Sequence, residues 1–430
     1  MPRDAAFIRT FQPYASTMNY SLYLARRLSL GGDGRKSSPG VKVAIAAIAL
    51  SVAVMTASIA ITLGFKREIT EKVIGFTSHI IMTVNAEDGG DNVVTLTPTL
   101  RKILDGDANV ADYSLQISLP AILKTPEDFK GIILKNLDDR TTRDFIASNM
   151  TEGRIPDYSA DSTSLHVVIS RIAASQLGLG TGEKVDCYFI NDDVKVRRLK
   201  IAGIFDSHFD AYDNLMVYGS RRLTETFSGL GDSQGTSLLI TTKDFDNLDQ
   251  TTMQLDSGLR KAYSDGLVYR RYSLENAHVG GANYFHWLAM LDTNVAVVLA
   301  LMMIVGCVTL ISGMLTIILD KKRFIGLMKA LGAPSGRLRM VFVYLAMRVA
   351  ITGMAVGNAL IIGLLWLQER LHFIHLDASS YYIDYVPVEM DWEAFAILNG
   401  GVIAVIYLSL LIPSRVISGI TPSETLSDAD

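Results

Sequence analysis

The chain has 430 residues, 49% of them hydrophobic and 20% charged, with a net charge of −4. That much apolar residue beside an ordinary charge content indicates membrane spans joined to a soluble domain. With no basic stripe it offers no footprint for nucleic acid, and two cysteines far apart in sequence, Cys187 and Cys307, exclude a disulfide framework.

Residues 1–40 contain Arg3, Arg9, Arg26, Arg27, Arg35 and Lys36 against Asp4 and Asp33, and read as a cytoplasmic segment with an amphipathic helix. Val43–Leu63 is uncharged and matches the about 20 residues needed to cross ~30 Å of hydrocarbon, which places the first span at 41–64. A secretory signal also starts with basic residues. Here roughly 40 residues precede the apolar core, the core exceeds the usual ~7–15, and no A-x-A-like site closes it, so the segment reads as a retained anchor. Beyond it Phe65, Ile69, Lys72 and Val73 keep helical spacing, and Glu68 with Lys72 can form an i,i+4 pair. A helix continuing out of the membrane is a direct way to transmit movement.

Residues 65–292 form an inserted domain of mixed α+β pattern, too long for a loop. His79–Val84, His166–Ser170, Lys184–Ile190, Leu199–Phe205 and Ser237–Thr242 read as strands. Thr97–Gly106, Ser170–Leu179 and the longer amphipathic Phe245–Tyr263 read as helices. Gly178–Lys184 is glycine-rich and ends in lysine, but Glu183 follows Gly182, and Val185 and a strand follow Lys184 where a phosphate loop needs a hydroxyl residue and a helix; it reads as a helix stop and a tight turn. The seven histidines are scattered; His372 and His375 could share a helix face, without further ligands at metal spacing. No catalytic constellation, metal site or cofactor site is indicated.

The second span is placed at 293–319, with Val295–Leu319 free of charge, the third at 340–367 and the fourth at 395–413. The connecting segment 320–339 carries Lys321, Lys322, Arg323, Lys329, Arg337 and Arg339 against Asp320, whereas 368–394 has six acidic residues and Arg370 as its only Lys or Arg. The positive-inside rule therefore puts both termini and the 414–430 tail in the cytoplasm, and the 65–292 domain outside. Phe324, Leu327, Met328 and Leu331 form one apolar stripe on a short helix that Gly332 and Pro334 stop. Such a helix can lie in the headgroups or dock on a cytoplasmic partner. Ala49, Ala53, Ala57 and Ile61 recur every four residues, and Gly353 and Gly357 form G-x-x-x-G, so these faces are expected to pack span against span. Arg348 is the only charge within a span; it either snorkels to the headgroups or meets a polar group such as Thr309 or Ser312.

Three stretches carry a family resemblance. They are Gly64-Phe65 with Glu68, Gly75, Ser78 and His79; Lys321-Lys-Arg with Ile325–Ala333; and Tyr382–Pro387 followed by Trp392. Together they resemble the permease subunits of bacterial lipoprotein-releasing ABC transporters, the LolC/LolE type within the MacB-like and FtsX-like permeases. Phe324 departs from the acidic residue that family members carry after the basic cluster. The resemblance implies a dimer of permeases in the inner membrane, homo- or heteromeric, with two cytoplasmic ATPase subunits that bind the ATP and magnesium. It also implies lipoprotein substrates and a periplasmic lipoprotein carrier. Coupling to the ATPase is then expected at Lys322, Arg323, Ile325, Leu327, Met328, Leu331 and Gly332, and transmission at Gly64, Phe65 and Glu68. Acyl chains would need an apolar surface at the outer ends of the first two spans, where Met55, Ile59, Leu63, Val295, Val298 and Met302 lie. Competing readings are a MacB-like efflux permease for small molecules or peptides, and an FtsX-like signal relay to a cell-wall hydrolase.

Overall fold

The computed structural model describes residues 39–85, 91–190 and 194–419. The N-terminal amphipathic helix expected within residues 1–40, and the end of the tail, lie outside them. The chain divides into two compact units.

The membrane unit contains four helices long and apolar enough to cross a bilayer: span 1 (Pro39–Thr77), span 2 (Ala282–Asp320), span 3 (Ser335–Leu371) and span 4 (Trp392–Ser414). All four helices run past the apolar stretches, because polar residues with helical spacing continue the backbone bonding into water. Spans 1 and 3 pack closely. A carbon added at Gly353 would lie 2.9 Å from the Ile45 carbonyl oxygen, and one at Gly357 would collide with the Ala49 backbone. Small residues let the two backbones approach, as lipid-embedded helices require. The expected row shifts by one position at its end, where Ala60 rather than Ile61 is buried, against Ile361 and Leu365. Span 2 joins this core mainly through its last turns, Leu310, Met314, Ile317 and Ile318. Asn358 Nδ2 donates to Asn399 Oδ1 at 2.7 Å, a polar tie between spans 3 and 4 that hydropathy does not reveal. Arg348 is exposed on span 3, and the Thr309 hydroxyl donates to Val305 of its own helix.

The second unit comprises Phe65–Ala289 and Ile374–Val386. Its strands are β1 (Ile80–Val84), β2 (Val94–Thr95), β3 (Val110–Gln116), β4 (Ser118–Lys124), β5 (Phe129–Asn136), β6 (Met150–Gly153), β7 (His166–Ser170), β8 (Lys184–Ile190), β9 (Val194–Phe205), β10 (Met216–Gly219), β11 (Gln234–Gly235), β12 (Ser237–Thr242) and β13 (Tyr272–Asn276). Its principal helices are α1 (Pro98–Asp105), α2 (Arg140–Ser148), α3 (Arg171–Leu177), α4 (Arg221–Ser228) and α5 (Leu248–Ser264).

Two subdomains result. Strands in the order β13-β1-β12-β3 form an antiparallel sheet, and α1 and α5 bury Leu100, Leu104, Leu255 and Leu259 in the core it shares. β2 and β11 form a two-stranded ribbon, and seven further strands follow β6-β9-β7-β10-β5-β4-β8, with β8 pairing back to β9. That last pairing closes a six-stranded barrel, which leaves no unpaired edge within the ring. β9 makes closure possible: its first half pairs with β8 and its last residues with β7 and β6. Ala121, Leu123, Leu134, Val167, Ile169, Val185, Cys187 and Leu199 fill the core with the period of two that strands dictate. Cys187 is a free thiol there, and burial pushes its pKa up to about 12. Gly178 and Gly182 both take left-handed φ, 62° and 88°, in the turn from α3 to β8, where only the Glu183 carboxylate meets the Gly180 amide. The segment is a helix stop and a turn.

Candidate functional site

The cytoplasmic candidate is the short helix Lys322–Ala330. Gly332, with φ of 89°, ends it, and Lys329 Nζ donates to the Ile417 carbonyl at 2.7 Å, tying it to the end of the chain's last described turn. The expected stripe is split. Ile325 and Gly326 are buried, Phe324 and Met328 half-buried, while Leu327 and Leu331 are 51% and 74% exposed. Periodicity marks which residues share a stripe, but span packing turned the stripe so that its edge, not its centre, faces inward. Two leucines beside exposed Arg323 remain as an apolar patch with a cation at its margin.

The expected acyl-chain surface is partly corrected. Met55 is 1% exposed and belongs to the span 1–span 3 core, so it cannot face lipid or cargo. Met302 packs half-buried against the same core; Ile59, Leu63, Val295 and Val298 are half-buried. The exposed stripe of span 2 lies at Val297, Leu301, Ile304 and Val308, with Val305 beside it. Which way the helix turns depends on its neighbours.

The residues expected to transmit movement, Gly64, Phe65 and Glu68, occupy the point where span 1 leaves the apolar stretch. Gly64 admits the chain before span 4: an added carbon would sit 2.6 Å from the Pro387 carbonyl oxygen, and Glu389 N donates to Ala60 O at 3.0 Å. Only glycine fits that backbone approach. Phe65 meets Trp287 edge to face, with centroids 6.3 Å apart. Further out Ile69 and Val73 are fully buried, and Gly75 lies directly under the Phe145 ring. The Glu68–Lys72 pair expected along the helix is replaced. Arg67 and Glu71 approach to 3.8 Å, while the Lys72 ammonium donates to the carbonyls of Ser207 and Tyr382.

The sequence reading missed Lys72 as a buried group, together with its neighbours Asp206, His208 and Asp213. The signal was available: Lys72 sits between Ile69 and Val73 on the apolar face. Asp213 accepts from the Ser207 hydroxyl at 2.7 Å and the Ser207 amide at 3.1 Å; burial nonetheless raises its pKa to about 6. His372 caps span 3 with a left-handed φ of 46° and His375 pairs with Tyr385 in a bridge, so they share no helix face. Among the described residues no group of three or more His, Cys, Asp or Glu could hold a metal.

The model of the MacB-like periplasmic core domain matches residues 43–257, and that of the FtsX-like permease C-terminal domain matches residues 296–422. The chain belongs to the MacB/FtsX-like family of ABC transporter permeases. It is 22% identical over 404 residues to the lipoprotein-releasing system transmembrane protein LolC of Xylella fastidiosa, spanning 89% of this chain and 92% of that one. It is 18% identical to the LolE protein of that system in Haemophilus influenzae, over 92% and 96% of the two chains. A solved structure of the periplasmic region of MacB from Actinobacillus actinomycetemcomitans aligns at 14% identity and a TM-score of 0.34, covering 49% of this chain and 95% of the other. The permease is a multi-pass membrane protein with its large domain inserted between spans 1 and 2.

Proposed function

We propose that this chain is the permease subunit of a transporter that lifts lipoproteins from the outer leaflet of the bacterial inner membrane and passes them to a periplasmic carrier. The observation that carries the reading is the likeness to LolC over 89% of the chain, through spans and domain alike. In this reading two cytoplasmic ATPase subunits bind and hydrolyse ATP, a second permease subunit completes the dimer, and this chain contributes no catalytic site or cofactor. The Lys/Arg asymmetry supports cytoplasmic termini and a domain outside. Leu327 and Leu331 supply an apolar contact for the ATPase; burying a leucine stabilises by about 1.5–3 kcal/mol. The exposed stripe Val297, Leu301, Ile304 and Val308 offers acyl chains a lateral surface on span 2.

The test is the assembled complex in proteoliposomes loaded with a lipoprotein. Wild type should release it to a soluble carrier on ATP addition. Leu327→Asp should insert normally yet lose stimulated ATP hydrolysis. Unchanged turnover in a normally assembled complex would return the short helix to the lipid surface. Export of a small molecule without lipoprotein release would move the chain to the efflux branch.

A further inference from the structure

Lys72 sits on the stalk, the part of span 1's helix beyond Gly64, and is 7% exposed. Its ammonium bonds to two main-chain carbonyls from separate segments, Ser207 in the loop after β9 and Tyr382 in the connection before span 4, the latter at 2.7 Å. Both segments are held in uncommon backbone states. His208, next to Ser207, has φ of 57°, and Tyr382 itself has φ of 61°. For residues other than glycine such conformations are unfavourable and persist only where surroundings over-determine them.

The surroundings do so here. His208 Nε2 lies 2.7 Å from Asp384 and its Nδ1 3.3 Å from Asp206, which Arg171 reaches at 3.0 Å. Phe76 of the stalk stacks on Tyr212, with centroids 4.9 Å apart, and Phe209 meets Tyr382 edge to face at 5.2 Å. The Asp384 carbonyl accepts from Leu376 and the Ile374 carbonyl from Val386, which makes the connection a small hairpin. Glu68, Asp206, Asp213 and Asp384 supply the negative field around the ammonium.

We propose that Lys72 is the pin that fastens the barrel loop 206–213 and the connection 374–386 to the stalk, so that movement of the stalk carries both segments with it. A step of one residue along a helix is 1.5 Å, enough to break both carbonyl bonds. A buried ammonium stripped of its partners costs several kcal/mol, so the joint moves as one body rather than slipping. Lys72 is a positioning residue; that the movement serves cargo release rests on the function proposed above.

Hydrogen exchange on the purified permease tests the pin without cargo or ATPase. Lys72→Met keeps the stem and removes the charge. It should speed amide exchange at least tenfold in 206–213 and 374–386 while the cores of β7, β8 and β12 keep their protection, and Lys72→Arg should restore much of it. Unchanged exchange in the two segments overturns the proposal. So does uniform loosening of the whole domain, which marks Lys72 as merely structural. If Lys72→Met does not accumulate, Lys72→Gln is read by the same criteria. In the assembled complex Lys72→Met should keep ATP hydrolysis within twofold while lipoprotein release falls more than tenfold; equal loss of both counts against positioning. If no lipoprotein is released even by wild type, the proposed function fails while the exchange result still decides the pin.

Discussion

Spans 1 and 2 are each 39-residue helices with nearly the same hydropathy, yet the chain treats them differently. The most apolar window of span 1 is 44% buried within the chain, that of span 2 only 11%. Their side chains explain it. Span 1 presents Ile48, Ala49 and Ala60 to span 3, whose Gly353 and Gly357 let the backbones touch. Span 2 leaves branched residues, Val297, Ile304, Val305 and Val308, exposed among the described residues. In lipid, apolar character gives no drive to associate, so close packing decides which helix is fixed and which is left to face other molecules. Span 1 is the more deeply packed of the two within the membrane unit.

Gly357→Val attacks that packing most directly. Its side chain would run into the Ala49 backbone, which cannot yield as a side chain can, so the cost should reach about 3 kcal/mol, the upper end for overpacking. Thermal unfolding in detergent should show the loss, whereas Gly363→Ala, which meets nothing within 4 Å, should be neutral or stabilising. Equal behaviour of the two variants would mean that spans 1 and 3 do not pack this way.

The stalk's anchorage should show in the pH dependence of the domain. Asp213 has its pKa raised to about 6 from 3.8, chiefly by burial, so the folded state favours its protonated form. Its contribution is fully present below 3.8 and is lost as pH rises through about 6. Asp213→Asn should therefore flatten the stability curve between pH 4 and 6 by about 1–2 kcal/mol, less than the roughly 3 of the full shift. Denaturant titration at the two pH values reads the difference, and a parallel pair of curves would refute it.

Asn358→Leu removes the tie between spans 3 and 4, which should lower stability by about 0.6 kcal/mol, the average for such bonds in a membrane. A loss above about 2 kcal/mol would mean that this bond, rather than the glycine contact, organises the bundle. The smallest effects belong to the exposed surfaces. Leu301→Ala and Arg348→Leu should each leave the stability of the chain within about 0.5 kcal/mol. A substantial loss of stability at Leu301 would show span 2 to be packed after all.

The four spans could be read from the sequence because hydrocarbon imposes a length and a composition that little else satisfies. Strands such as β7, β8 and β12 were legible from their β-branched runs, and the cap of α1 from Thr97, whose side chain accepts the Leu100 amide. β3, β4, β5 and β10 were not. Asp112 in β3, Pro120 in β4 and Gly131 in β5 interrupt the pattern, and β3, β4, β5 and β10 each pair with a strand far along the chain. The same limit applied at the functional segments. Sequence identified the stripe on Lys322–Ala330 because periodicity is a local property, and the glycine at position 64 through the family resemblance. Tertiary structure alone decided that Leu327 faces outward, that Met55 faces inward, that β8 closes on β9, and that Lys72 gives up Glu68 for two distant carbonyls. Each depends on which surfaces meet, and a buried charge chooses its partner by what folding brings within about 3 Å, not by what is adjacent in the chain.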